Sequence, residues 1–110
     1  MENKYTEIFK LKSMLEESNI PFEFSIREYE LDKLYQICYP KYGDGRKCSV
    51  IQGKGSYGGE YNLLEIMGLL TEEEEEYDSV LGYLTAENVF DRIEKDFFKK
   101  KPWRKLCNKH

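Results

Sequence analysis

Residues 47–70 read KCSVIQGKGSYGGEYNLLEIMGLL, and this stretch decides the fold. Cys48 to Gln52 is a β-branched run. A glycine-rich segment follows (Gly53, Gly55, Gly58, Gly59), then an apolar run from Leu63 to Leu70. The pattern predicts the centre of an antiparallel sheet, two strands joined by a long flexible loop. Leu63, Ile66, Met67 and Leu70 also fit helical spacing, whereas Leu64 and Ile66 alternate with Leu63, Glu65 and Met67 as in a strand. Gly68 costs a helix interior about 1 kcal/mol relative to alanine, which favours the strand. The loop Gly53 to Asn62 is expected to be the most mobile internal segment, with Tyr57 largely exposed.

Upstream, DG at Asp44-Gly45 is a hairpin signal, because both residues tolerate positive φ. A turn centred there pairs Tyr39 with Val50 and Cys38 with Ile51. Tyr35, Ile37, Tyr39, Cys48 and Val50 then share the more apolar face, and Cys38 and Cys48 point to opposite faces, so they cannot bridge. LYQICYP is a strand ended by Pro40. PFEFSIRE alternates Phe22, Phe24 and Ile26 against Glu23, Ser25 and Arg27, a half-buried strand.

A one-faced sheet needs helices to cover it. Ile8, Leu11, Met14 and Leu15, with Tyr5, form an apolar stripe on a helix from about Lys4 to Ser18, capped by Asn3. Asn19, Ile20 and Pro21 mark its end. Thr71 to Glu74 has capping-box spacing, so the glutamate run reads as the solvated start of a short helix, Glu72 to about Tyr77. Leu84 and Val89 flank the cap Thr85 as a hydrophobic staple. Ala86, Val89, Phe90, Ile93 and Phe97 then form a stripe on a helix from Ala86 to about Lys100, with Phe90, Ile93 and Phe97 expected in the core. The fold class is α+β: an N-terminal helix, an antiparallel sheet of about four strands and a C-terminal helix, both long helices on one sheet face. Residues 1–98 form a single domain and 99–110 a basic C-terminal tail.

The 110 residues are enough for one core without a disulfide or metal scaffold. Three cysteines without CxxC spacing, and one histidine at the last position, argue against a disulfide framework and a zinc site. No apolar run reaches the roughly 20 residues of a membrane span, and MENKYTEIF lacks a secretory pattern, so the expected location is cytoplasmic and no membrane partner is expected. Lys99, Lys100, Lys101, Arg104, Lys105 and Lys109 set six basic side chains and no acidic one in residues 99–110. The rest of the chain holds 11 basic against 21 acidic side chains, a balance of −10.

The segments QICYP, CSVIQGKGSYGG, LLEIMGLLTEEE and GYLTAENVFDRI, in this order, resemble small uncharacterised proteins encoded by phages and prophages of Gram-positive bacteria. The resemblance covers roughly residues 5–97. It implies a mobile-element context and one small domain, and brings no catalytic or binding residues with it.

No catalytic constellation stands out. His110, at the terminus, is poorly placed for a triad. Gly53-Lys54-Gly55-Ser56 departs from a phosphate loop, since its lysine lies between the glycines and no helix begins there. The expectation is a non-enzymatic interaction module without cofactor or metal. Its protein partner would be bound through a sheet edge or the acidic surface, with Lys54 and Tyr57 as candidates in the loop. The alternative is nucleic-acid binding through the tail, where Lys99, Lys100, Lys101 and Arg104 attract phosphate and Trp103 stacks on an unpaired base. The same tail also reads as a helix terminus whose lysines answer the dipole. Self-association through a sheet edge is compatible with either.

Overall fold

The computed structural model describes residues 4–41 and 46–99. Its elements are α1 (Glu7–Glu17), β1 (Glu23–Glu28), β2 (Lys33–Tyr39), β3 (Cys48–Gly53), β4 (Leu64–Met67), α2 (Glu72–Tyr77), β5 (Val80–Leu84) and α3 (Ala86–Lys99). The fold is α+β. The strands make one antiparallel meander, β1-β2-β3-β4-β5.

Period-2 alternation produces the core face. Tyr35, Ile37 and Tyr39 of β2 lie opposite Gln52, Val50 and Cys48 of β3, and Val50 in turn lies opposite Ile66 of β4. All are buried, as is Leu64 two residues before Ile66. Ile8, Leu11 and Leu15 of α1 and Ala86, Val89 and Ile93 of α3 fill the same cluster, so both long helices cover this one face. Phe9 packs on Phe24 and Tyr35 at 5.7 and 5.1 Å between ring centroids, which fastens β1 to α1. Phe90 and Phe97 are only half-buried beside the fully buried Ile93.

Several expectations are corrected. The sheet, expected to have about four strands, has a fifth, β5, formed by residues for which the sequence pattern predicts no element. Gly82 interrupts its pattern, Tyr83 is left-handed (φ 62°), and the pairing shifts register between Leu64 and Ile66. The β2–β3 register is Tyr39↔Cys48 and Cys38↔Ser49, two residues from the one expected. A two-residue slip leaves every side chain on its original face, so alternation alone cannot detect it. The Asp44-Gly45 turn lies outside the described residues. Ile26 is 45% exposed, because β1 is half-buried only at its first two residues and exposed beyond them. Finally, α1 begins at Glu7 rather than about Lys4. Its expected cap Asn3 lies outside the described residues.

The helix ends expected from local signals are present. Asn19 is left-handed (φ 57°) and the Ile20 amide donates to the Leu15 carbonyl, with Ile20 buried on the last turn of α1. Thr71 and Glu74 form a reciprocal capping box on α2. Thr85 Oγ1 accepts from the Asn88 amide at the start of α3.

Candidate functional site

The loop between β3 and β4 is folded on itself. Ser56 Oγ donates to the Gly53 carbonyl and accepts from the Gly53 amide, and the Ser56 amide returns to the same carbonyl. A single 3₁₀ turn, Gly59–Tyr61, follows, and the Leu63 amide closes on the Gly58 carbonyl. A Cβ on Gly59 would lie 2.2 Å from the Gly53 carbonyl oxygen, so only glycine allows this closure. The Ser56 hydroxyl and Gly53 amide are thus engaged with each other, and no helix of useful length opens here. The geometry is not that of a phosphate loop.

The loop also caps α1. Asn62, left-handed at φ 59°, accepts through Oδ1 from the Thr6 and Glu7 amides (2.8 and 3.3 Å) and from Gln52 Nε2 (2.8 Å). Its Nδ2 donates to Thr6 Oγ1. Gln52, fully buried in β3, accepts from the Ile8 amide at 3.0 Å. Orphan donors of the first turn of α1 are therefore met from more than forty residues away. Glu7 in turn accepts from the Ala86 amide, the first of α3, so both long helices start at one junction. Expected as the most mobile segment, the loop is the one that joins sheet and helices.

Around this junction is a groove of about 510 Å³ lined by Lys4, Asp32, Lys54, Tyr57, Glu60 and Tyr83 among others. Lys54 Nζ lies 3.9 Å from Asp32 Oδ2 in an exposed pair. Tyr57 is 52% exposed, as expected, but its backbone is fixed: the amide donates to Glu65 Oε1, and the carbonyl accepts from the Tyr83 amide. A Cβ on Gly82 would sit 2.2 Å from Tyr57 Cβ, so a glycine in β5 lets the loop seat there. Tyr61 and Tyr83 are 69% and 60% exposed, with ring centroids 6.1 Å apart. Three accessible tyrosine rings thus stand on pinned backbone, with cations and acids around them.

The structure brings Lys54 and Tyr57 together. Lys99 is exposed at the end of α3 and lines a different depression, with Leu69, Leu70 and Arg92. Lys100, Lys101, Trp103 and Arg104 lie outside the described residues. Tyr61 and Tyr83 escaped sequence reasoning. Nine tyrosines in 110 residues were the available signal, but nothing local told exposed rings from packed ones.

Elsewhere, Tyr39 donates to Asp96 Oδ2 at 2.7 Å, and burial, followed by that hydrogen bond, raises its hydroxyl pKa. Burial, then the neighbouring Cys38 and Asp96, pushes the Cys48 thiol up to about 12, so it is protonated at neutral pH and a weak nucleophile. Cys38 is a free buried thiol facing the other way, and Arg46 Nη1 donates to its sulfur at 2.9 Å. Among the described residues no group of His, Cys, Asp or Glu is arranged to hold a metal ion, and no helix is long and apolar enough to cross a membrane. No family model, curated protein or solved structure matches the chain.

Proposed function

We propose that the chain is a non-enzymatic protein-binding module of a mobile element, and that the groove lined by Tyr57 and Tyr83, with the exposed Tyr61 ring beside Tyr83, receives an extended segment of the partner. The observation that carries this reading is the three exposed tyrosines on hydrogen-bonded backbone. Tyrosine supplies large contact area with few rotors and a polar tip, and it is enriched at the energetic centres of interfaces. A rim of Lys4, Lys54, Asp32 and Glu60 gives mixed charge around that centre, as interface rims have.

The test is affinity capture from host lysate with the wild-type chain and with Tyr57→Ala/Tyr61→Ala. A protein retained by the wild type and released at least about tenfold more readily by the variant, at unchanged melting temperature, supports the reading. Equal retention by both overturns it. Capture of nuclease-sensitive material instead moves the function to residues 99–110, the basic end of an acidic chain. In that case, replacing Lys99, Lys100 and Lys101 lowers the log–log salt slope on single strands by up to about 2, and Trp103→Ala weakens single-strand binding more than duplex binding.

A further inference from the structure

The two edges of the sheet are built differently. At β5 the ladder shifts register, Tyr83 takes a left-handed backbone, and its amide is held by the Tyr57 carbonyl. Such irregularity protects an edge from pairing. The other edge, β1, pairs with β2 through six consecutive residues without interruption, contains no proline or lysine, and leaves its outer side open among the described residues. Ile26, on the helix-facing side, is 45% exposed, Arg27 has no ion-pair partner among the described residues, and Glu23 is held in an exposed pair with Arg46 (3.2 Å) that a stronger partner can displace.

We propose that β1 is the contact through which two copies of this chain associate, antiparallel and two-fold about Ser25. The reason is self-complementarity. With the axis at Ser25, Glu23 of each copy lies opposite Arg27 of the other, and Phe24 lies opposite Ile26. Directly opposed residues share a face, so the charged pairs fall on the open side of the sheet and the apolar pairs on the helix side, where Ile26 becomes covered. Neighbouring registers lack this match. An axis between Ser25 and Ile26 would oppose residues that point to different faces, and an axis at Ile26 sets Phe24 against Glu28 inside the strand, whereas with the axis at Ser25 Glu28 falls opposite Phe22, beyond the end of β1. The contact is isologous and closes at two copies, so it makes a dimer and not a fibre. It uses none of the groove tyrosines.

Sedimentation equilibrium of the full chain under reducing conditions tests this. The expected result is reversible association to twice the 13.1 kDa chain mass. Glu23→Arg alone and Arg27→Glu alone each place like charges opposite and weaken association at least about tenfold. Mixing those two chains restores it as a heterodimer, because each supplies the charge its partner lacks. As a second measurement, Ser25→Cys on a Cys107→Ser background cross-links under mild oxidation, since self-opposed Cα atoms in an antiparallel ladder lie about 4.5–5.5 Å apart, within disulfide reach. A chain that stays at 13.1 kDa up to about 1 mM, the weak end of specific association, overturns the proposal. So does a dimer indifferent to both charge reversals, or a mixture that fails to associate.

Discussion

The N-termini of α1 and α2 solve one problem with opposite resources. Each must find acceptors for amides that have no partner within the helix. At α2 the acceptors are Thr71 Oγ1 and Glu74 Oε1, three residues apart in the chain. At α1 the Thr6 side chain makes no cap, and the acceptors are Gln52 of β3 and Asn62 of the loop that follows it. A local cap makes a helix start that any reader of the sequence can find. A remote cap makes helix and sheet depend on each other, so its loss should reach the whole domain.

The largest effect is expected at Gln52. Truncation to alanine leaves the Ile8 amide unsatisfied in the core, together with a cavity, and should cost about 3–4 kcal/mol in a denaturant melt. A cost below about 1 kcal/mol would mean that water or a shifted side chain replaces the amide, and the contrast between the caps collapses. Asn62→Ala removes the acceptor shared by Thr6, Glu7 and Gln52 and places alanine at positive φ, for about 2–3 kcal/mol. Hydrogen exchange should show where the damage goes. In this variant the amides of the first turn of α1 and those of Gly59 and Leu63 in the loop should lose protection together, whereas independent responses would uncouple loop from helix.

The cap of α2 has a smaller stake but adds a tertiary tie. Arg92 of α3 forms a bidentate pair with Glu74 at 2.9 Å on both arms and also donates to the Leu69 carbonyl. The Arg92 hydrogen bonds, then the Thr71 amide, lower the Glu74 carboxyl pKa to about 2. Because the folded-state value lies below the unfolded one, the stabilisation is full above about pH 4.5 and is lost as pH falls through about 2. Glu74→Gln should therefore cost about 1–2 kcal/mol at neutral pH, and the gap between its melting curve and the wild type's should close across that acidic window. A gap independent of pH would show that charge is not what the pair contributes. Thr71→Ala, the smallest change, should cost about 0.5–1 kcal/mol and leave the α1 amides untouched in exchange.

Short-range physics was legible in the chain. The alternation at Tyr35, Ile37 and Tyr39, the strand reading of Leu64 and Ile66, the stop after Glu17, and the caps at Thr71 and Thr85 all rest on partners within a few residues. Lys54 and Tyr57 could be picked from the loop, but not Tyr61 or Tyr83, because a ring's exposure depends on which strand lies beneath it. β5 was hidden for a related reason: the Gly82 and Tyr83 irregularity that makes it a protected edge also erases its period-2 signature.

The sequence by itself determined which face of each central strand is apolar, which segments are helical, and where α2 and α3 begin. Periodicity and capping are properties of neighbouring residues. Only the tertiary structure decided the Tyr39↔Cys48 register, the late start of α1 and the ordering of the glycine-rich loop. A two-residue slip conserves every face, so burial cannot choose between registers from pattern alone. The loop is ordered by Asn62 and Gln52 meeting amides that lie 44 to 56 positions away, a coincidence that exists only once the sheet has brought them together.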